Sequence, residues 1–337
     1  MKRKLGAISA LIGSLSLVLA GCSAGGSADS QEGSGAGAGE TTQSDSYNIG
    51  IAEFVSHPSL DASVKGFKAA LTEAGLDVTY DEQNPQGDQG TAASVASKFA
   101  TQDLDLVLAV ATPMAQALAQ SVTNVPVLFT AVTDPVAAQL VASNEAPGAN
   151  VTGTTDLNPV ADQIDLVKKV LPDAKKVGII YSSGEINSQV QVDLAKEEAA
   201  KQGLEVVEQT ITNSSEVVQA AQTLGDVDAI YVPTDNMVVS ALESLLQVAE
   251  TSGQLVVVAE ADSVSRGGAL TYGLDYEKLG YQTGQMAVKI LTEGADPASM
   301  PVEGQDQPQL VVNPAAAERM GTPLPQELID SADLVIE

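Results

Sequence analysis

From Tyr47 onward the chain alternates short runs rich in β-branched residues with longer amphipathic stretches. "YNIGIAEF" (47–54) predicts a strand, and "SLDASVKGFKAALTEAG" (59–75) a helix. In that helix Val64, Phe67, Leu71 and Ala74 recur at helical spacing, and Gly75 is a stop signal. "LDVTYDEQ" (76–83) predicts a strand, "GTAASVASKFATQ" (90–102) a helix and "LDLVLAVAT" (104–112) a strand. A helix over 113–121, the strand "VPVLFTAV" (125–132) and another helix from Pro135 complete the series. The strands lack strict polar alternation, as a parallel sheet covered by helices on both faces requires. The pattern is that of a parallel, doubly wound α/β fold.

The series then repeats. "KKVGIIYSSGE" (175–185) matches "YNIGIAEFVSH" (47–57), and "GLEVVEQ" (203–209) echoes "GLDVTYD" (75–81). Gly178 and Gly203 keep the 25-residue spacing of Gly50 and Gly75. "DVDAIYVPTDNMVVSAL" (226–242) echoes "DLDLVLAVATPMAQAL" (103–118), and "QLVVVAEADSV" (254–264) echoes "VPVLFTAVTDPV" (125–136). Two similar lobes therefore follow one another. In open parallel sheets, functional groups lie beyond the carboxyl ends of the strands. Those tips are 53–57, 112–113 and 130–134 in the first lobe, and 182–188, 234–236 and 260–263 in the second. If the lobes face each other, the tips line one cleft, a hinged clamp around a small molecule.

The N-terminus changes where such a clamp would work. Lys2, Arg3 and Lys4 precede an apolar run over 5–19, the layout of an export signal. The run falls short of the ~20 residues of a membrane span. Leu19-Ala20-Gly21-Cys22 resembles the lipobox of bacterial lipoproteins, whose cysteine is acylated and becomes the N-terminus. The expectation is a signal peptide over 1–21 and a Cys22 carrying acyl chains such as palmitate. A buried or leftover thiol is the bland alternative. The Gly-, Ser- and Ala-rich stretch that follows, to residue 46, cannot bury enough surface to fold and is expected to be a flexible linker. About 290 residues remain beyond it, for which two domains are the default.

Charge narrows the partners. The chain has 16 Lys plus Arg against 44 Asp plus Glu, net −28, and losing the three basic leader residues leaves it near −31. That excludes nucleic acid as the natural partner and suits a soluble extracytoplasmic protein. With a single cysteine there is no internal disulfide.

Catalytic chemistry is poorly supplied. His57 is the only histidine, too few for a usual zinc site, and no metal or cofactor is expected. From Tyr47 onward there is no G-x-S-x-G elbow, no Gly-Lys of a P-loop, and no G-x-G-x-x-G after a strand. The protein is not expected to be an enzyme. Beyond the leader only Arg266 and Arg319 remain as arginines, neither on a strand tip, so a strongly anionic ligand lacks its usual forks. A single carboxylate can instead be held by helix N-termini and hydroxyls, as at Thr112-Pro113 and Thr133-Asp134-Pro135. An α-amino acid also needs ammonium acceptors, for which Glu53, Asp134, Asp235 and Asp262 are candidates. Asp134, Asp235 and Thr112 could equally be helix caps. His57 could be a surface-loop residue, and Asn187-Ser188 could merely start a helix over 188–202. Phe54, Phe129, Tyr181 and Tyr231 lie at strand ends, either as core or as an apolar pocket wall.

"FVSHPSLDASVKGFKAAL", "VTDPVAAQLV", "PGANVTGTTDLNP", "LPDAKKVGIIYSSGEINS", "YVPTDNMVVSA" and "GLDYEKLGYQTGQMAVKIL" resemble ABC-transporter substrate-binding lipoproteins of the tryptophan/tyrosine-binding type. The similarity runs from about 49 to 321. It implies a type I periplasmic-binding fold, two Rossmann-like lobes joined by crossovers near 154–157, 273–276 and in the 300s. The lobes would then be 47–155 plus 275–300, and 156–274 plus 301–337. It further implies a ligand held by His57, Thr112 and Asp134 from the first lobe and by Asn187, Asp235, Asn236 and Asp262 from the second. The partners implied are a small-molecule ligand, an ABC permease with its ATPase, and the membrane through the lipid anchor. The protein is expected to be a monomer on the extracytoplasmic face of the cell membrane, capturing a neutral amino acid, an aromatic one favoured. A nucleoside or sugar receptor and a sensory lipoprotein are the alternatives. An extracytoplasmic isomerase is the least favoured.

Overall fold

The structure, a computed structural model, describes residues 46–337. The expected signal peptide, Cys22 and most of the expected linker lie outside these residues. The first lobe is laid down by β1 (Ser46–Glu53), α1 (Pro58–Glu73), β2 (Asp77–Gln83), α2 (Gln89–Phe99), β3 (Leu106–Val110), α3 (Thr112–Ser121), β4 (Val127–Val132) and β5 (Val151–Thr155). Its five strands form a parallel sheet in the order β2-β1-β3-β4-β5. The central strands β3 and β4 are buried at every position, the consequence of helices on both faces.

The second lobe follows with α4 (Val160–Val170), β6 (Lys176–Ser182), α5 (Ile186–Lys201), β7 (Glu205–Ile211), α6 (Val217–Thr223), β8 (Ala229–Val232), α7 (Asn236–Ser240), α8 (Leu242–Ser252), β9 (Leu255–Val258), α9 (Ala261–Ser265) and β10 (Leu270–Gly273). Next, α10 (Tyr276–Glu293) packs back on α1 of the first lobe. The chain ends with β11 (Gln309–Val312), α11 (Pro314–Arg319), α12 (Gln326–Asp330) and β12 (Leu334–Val335) in the second lobe. The second sheet runs β12-β11-β10-β9-β8-β6-β7, with β10 and β11 antiparallel. Its portion β7-β6-β8-β9-β10 reproduces the strand order of the first sheet, so the repeat seen in the sequence is a repeat of topology. Gly75 and Gly203 end the equivalent helices α1 and α5 at φ of 73° and 69°, a conformation that costs glycine little.

Three passages join the sheets. The first follows β5, the second lies between β10 and α10, and the third runs from the end of the α10 region to β11. The third lies against the first, where Thr155 N–H donates to the Glu303 carbonyl at 2.8 Å and Glu303 N–H to the Gly153 carbonyl at 3.0 Å. The α1–α10 contact depends on close backbone approach. A Cβ at Gly66 would collide with the Glu277 carbonyl, and one at Gly280 with the Ser63 carbonyl.

The helix expected from Pro135 does not form. Residues 135–139 make a hydrogen-bonded turn that reverses at Gln139, where φ is 60°. Among the described residues no helix is long and apolar enough to cross a membrane.

Candidate ligand-binding site

The strand tips of the two lobes meet. Ser59 on α1 donates to Glu260 Oε2 at 2.8 Å, and Gln89 Nε2 donates to the Gly184 carbonyl at 3.2 Å. The hydroxyls of Thr133 and Thr234 lie 3.4 Å apart. These bonds cross from one lobe to the other, so the clamp is shut. At its edge lies a cavity of about 320 Å³ lined by Phe54, Gln89, Ser183, Glu185 and Met237 among others.

His57 caps the N-terminus of α1 with its backbone only, and its side chain makes no cap bond. It is 5 % exposed, and its Nδ1 has no hydrogen-bond partner. Burial, with the nearby Arg266 charge, lowers its pKa to about 3, so the imidazole is neutral. Thr112 is the first residue of α3, buried, with Oγ1 unbonded. Asn187, in the first turn of α5, gives Nδ2 to Glu185 Oε2 at 3.0 Å and to the Thr234 carbonyl at 2.9 Å, while its Oδ1 is unbonded. Buried polar atoms are almost always bonded, so unpartnered ones on facing strand tips mark where a ligand's polar groups would go.

Of the remaining sequence candidates, Glu53 at the tip of β1 is half-buried with Oε1 unbonded, and burial, with the neighbouring Asp61, raises its pKa to about 8. Asp235, Asn236 and Asp134 have protein partners. Asp235 is wholly buried and caps α7 through Val238 N–H at 2.8 Å. It also accepts from Ser182 N–H at 2.5 Å and Ser188 Oγ at 2.6 Å, which ties three elements of the second lobe together. Asn236 donates its N–H and Nδ2 to Glu185 Oε2. Asp134 sits half-buried at the rim and accepts from the N–H groups of Val136 and Ala137 at 3.0 and 2.9 Å. Asp262 is half-buried on α9, with its pKa raised by burial and lowered in part by the Ser59 hydroxyl. Of the four aromatics, Phe54 lines the cavity. Phe129 is core, Tyr181 bonds Glu208 at 3.1 Å and Tyr231 bonds Gln163 at 2.7 Å.

Sequence reasoning passed over four groups. Glu185 and Glu260 lay inside the tip segments but were not singled out. Asp156 and Asn158 lie just past β5, on the first passage between the lobes, where no strand-tip rule points. Asp156 accepts from Thr133 Oγ1 at 3.0 Å and from the Tyr276 hydroxyl at 2.7 Å. Burial raises the pKa of Asp156, of Glu260 to about 7, and of Glu185, which the neighbouring Asp235 charge raises further. Backbone strain gathers at the same tips, with Ala111 at φ 76° ahead of α3 and Ala131 at φ 55° near the end of β4. Non-glycine residues in that region cost about 1–2 kcal/mol each. Among the described residues no group of His, Cys, Asp and Glu could hold a metal ion.

The profile of the ABC transporter substrate-binding protein family matches residues 48–336. The chain belongs to this family. It is 44 % identical over 271 residues to a tyrosine-binding protein of Clostridioides difficile strain R20291, covering 79 % of this chain and 78 % of that one. An ABC domain from Streptococcus pneumoniae in complex with L-Trp is 36 % identical with a TM-score of 0.83, over 87 % of this chain and 100 % of that chain. The ligand-free, open structure of a Clostridium difficile substrate-binding protein with adhesive properties is 42 % identical, covering 86 % and 99 %, yet its TM-score is 0.64. The more identical sequence is the less similar shape. This substrate-binding protein is therefore in the closed arrangement of a type I periplasmic-binding fold, as the bonds between its lobes show.

Proposed function

We propose that this substrate-binding protein is the lipid-anchored receptor of an ABC importer, and that it captures a neutral aromatic L-amino acid by closing its lobes. The unpartnered atoms of His57, Thr112 and Asn187 on facing strand tips carry this reading. They supply donors and acceptors for a small zwitterion, and Phe54 lines an adjoining cavity. The tyrosine-binding relative and the L-Trp-bound neighbour support the ligand class. A ligand that bridges both lobes has the differential affinity that closure requires. Cys22 tethers the receptor and so raises its effective concentration near its permease.

A thermal-shift panel of the twenty amino acids, nucleosides and sugars tests the ligand class. At a hundredfold excess over Kd the true ligand stabilises by about 2.7 kcal/mol, a Tm rise of roughly 5–10 °C. A response to tyrosine, tryptophan or phenylalanine is the expected result. A response confined to sugars or nucleosides contradicts it. For the tether, Cys22→Ser is expected to move the protein from the membrane fraction into the soluble fraction, and unchanged membrane retention would remove the anchor.

A further inference from the structure

We infer that Asp156, Glu260 and the amide oxygen of Asn158 together form the subsite for the ligand's ammonium group. This rests on the amino-acid reading above and says which end of the ligand faces the hinge. An ammonium carries three donors and no acceptor, so it needs up to three acceptors around it. The Tyr276 hydroxyl marks where they meet. It donates to Asp156 Oδ2 at 2.7 Å, lies beside the Asn158 amide, and is within the field of Glu260. Asn158 is 3 % exposed, gives its Nδ2 to the Asp156 carbonyl at 3.1 Å, and leaves Oδ1 without a partner. Glu260 receives both Ser59 Oγ and Ser263 Oγ on Oε2, at 2.8 and 3.0 Å, so among the described residues no donor reaches Oε1.

The other two fully buried carboxylates, both in the second lobe, are already committed, while the unbonded Oε1 of Glu53 belongs to a half-buried residue at the tip of β1. Asp235 holds three donors, and Glu185 holds Asn187, Asn236 and the Met237 N–H. Asp156 and Glu260 also lack a cation. Among the described residues neither pairs with a lysine or arginine, and Arg266 is engaged bidentately by Glu243 at 2.8 Å. Two wholly buried carboxyl groups with spare lone pairs and no counter-charge are matched by a positive ligand group. The surrounding elements contribute Ser59 from α1, Asp262 and Ser263 from α9, and Tyr276 from α10. The cation nearby is Arg266 at the end of α9, which is held by Glu243 but keeps Nη1 buried and unpartnered, and whose charge acts on Asp262 and His57.

Isothermal titration of the purified protein with L-tyrosine and L-tryptophan, each against its analogue lacking the amine, tests the subsite. The amino acid is expected to bind at least about 100-fold more tightly than the amine-free acid. Asp156→Asn and Glu260→Gln are each expected to weaken the amino acid about 10- to 100-fold while leaving the amine-free analogue within about threefold. That selective loss separates ammonium binding from a general effect on folding or closure. If the wild type binds the amine-free analogue as tightly as the amino acid, the subsite is overturned without any variant. If both variants keep full preference for the amine, it is overturned as well. If the wild type binds neither amino acid, the proposed function itself fails, and the subsite with it.

Discussion

His57 and Glu260 lie on opposite lobes, and the same burial drives their pKa values in opposite directions. His57 falls from 6.5 to about 3, so its contribution to the closed form is present above pH 6.5 and is lost as pH falls toward 3. Glu260 rises from 4.5 to about 7, so its contribution is present below pH 4.5 and is lost as pH rises through 7. A bound ammonium cancels the second effect by favouring the charged carboxylate, and it leaves the first unchanged. The preference for an aromatic amino acid over its amine-free analogue should therefore widen by up to about tenfold per pH unit between 4.5 and 7 and then level off. Titrations at pH 5, 6, 7 and 8 check this, and a flat ratio would exclude Glu260 from the ammonium. Thr112→Val removes one unbonded hydroxyl at nearly constant volume. It is expected to weaken ligand about tenfold with little change in the unliganded Tm. The positions of His57, Thr112 and Asn187 at helix starts beyond strand tips were legible in the sequence, because the strand and helix periods mark where each strand ends and the next helix begins. Asp235 looked the same in sequence. Its role depends on Ser182 and Ser188, which folding brings to it from 53 and 47 residues away.

At the scale of elements, the α1–α10 pair holds the returning helix to the first lobe. Gly280→Ala puts a methyl group against the Ser63 carbonyl, where neither backbone can yield cheaply. Such overpacking costs about 1–3 kcal/mol, so a Tm several degrees lower is expected, and an unchanged Tm would show that the helices can separate freely. The strands and most helices were legible, because buried parallel strands and amphipathic helices impose their periods directly on the chain. The turn at Pro135 was not. A proline after Asp134 is a proper helix start, and Asp134 does cap the turn, but Gln139 reverses the backbone after one turn. Asp156 and Tyr276 were missed for a related reason. They sit on passages between lobes, and no repeat or periodicity reports what a passage carries.

For the whole molecule, the repeat of strand order creates two facing crevices, and the passages let one close on the other. The bonds from Ser59 to Glu260 and from Gln89 to Gly184 form only when the lobes meet. The lower similarity to an open relative of higher identity has the same origin. Small-angle X-ray scattering of the purified protein, with and without an aromatic L-amino acid, tests the central claim most directly. The account predicts that saturating L-tyrosine or L-tryptophan shrinks the radius of gyration, and that the scattering then matches the closed structure, while a sugar such as D-galactose leaves the open form unchanged. Contraction with the sugar and none with any aromatic amino acid would contradict it.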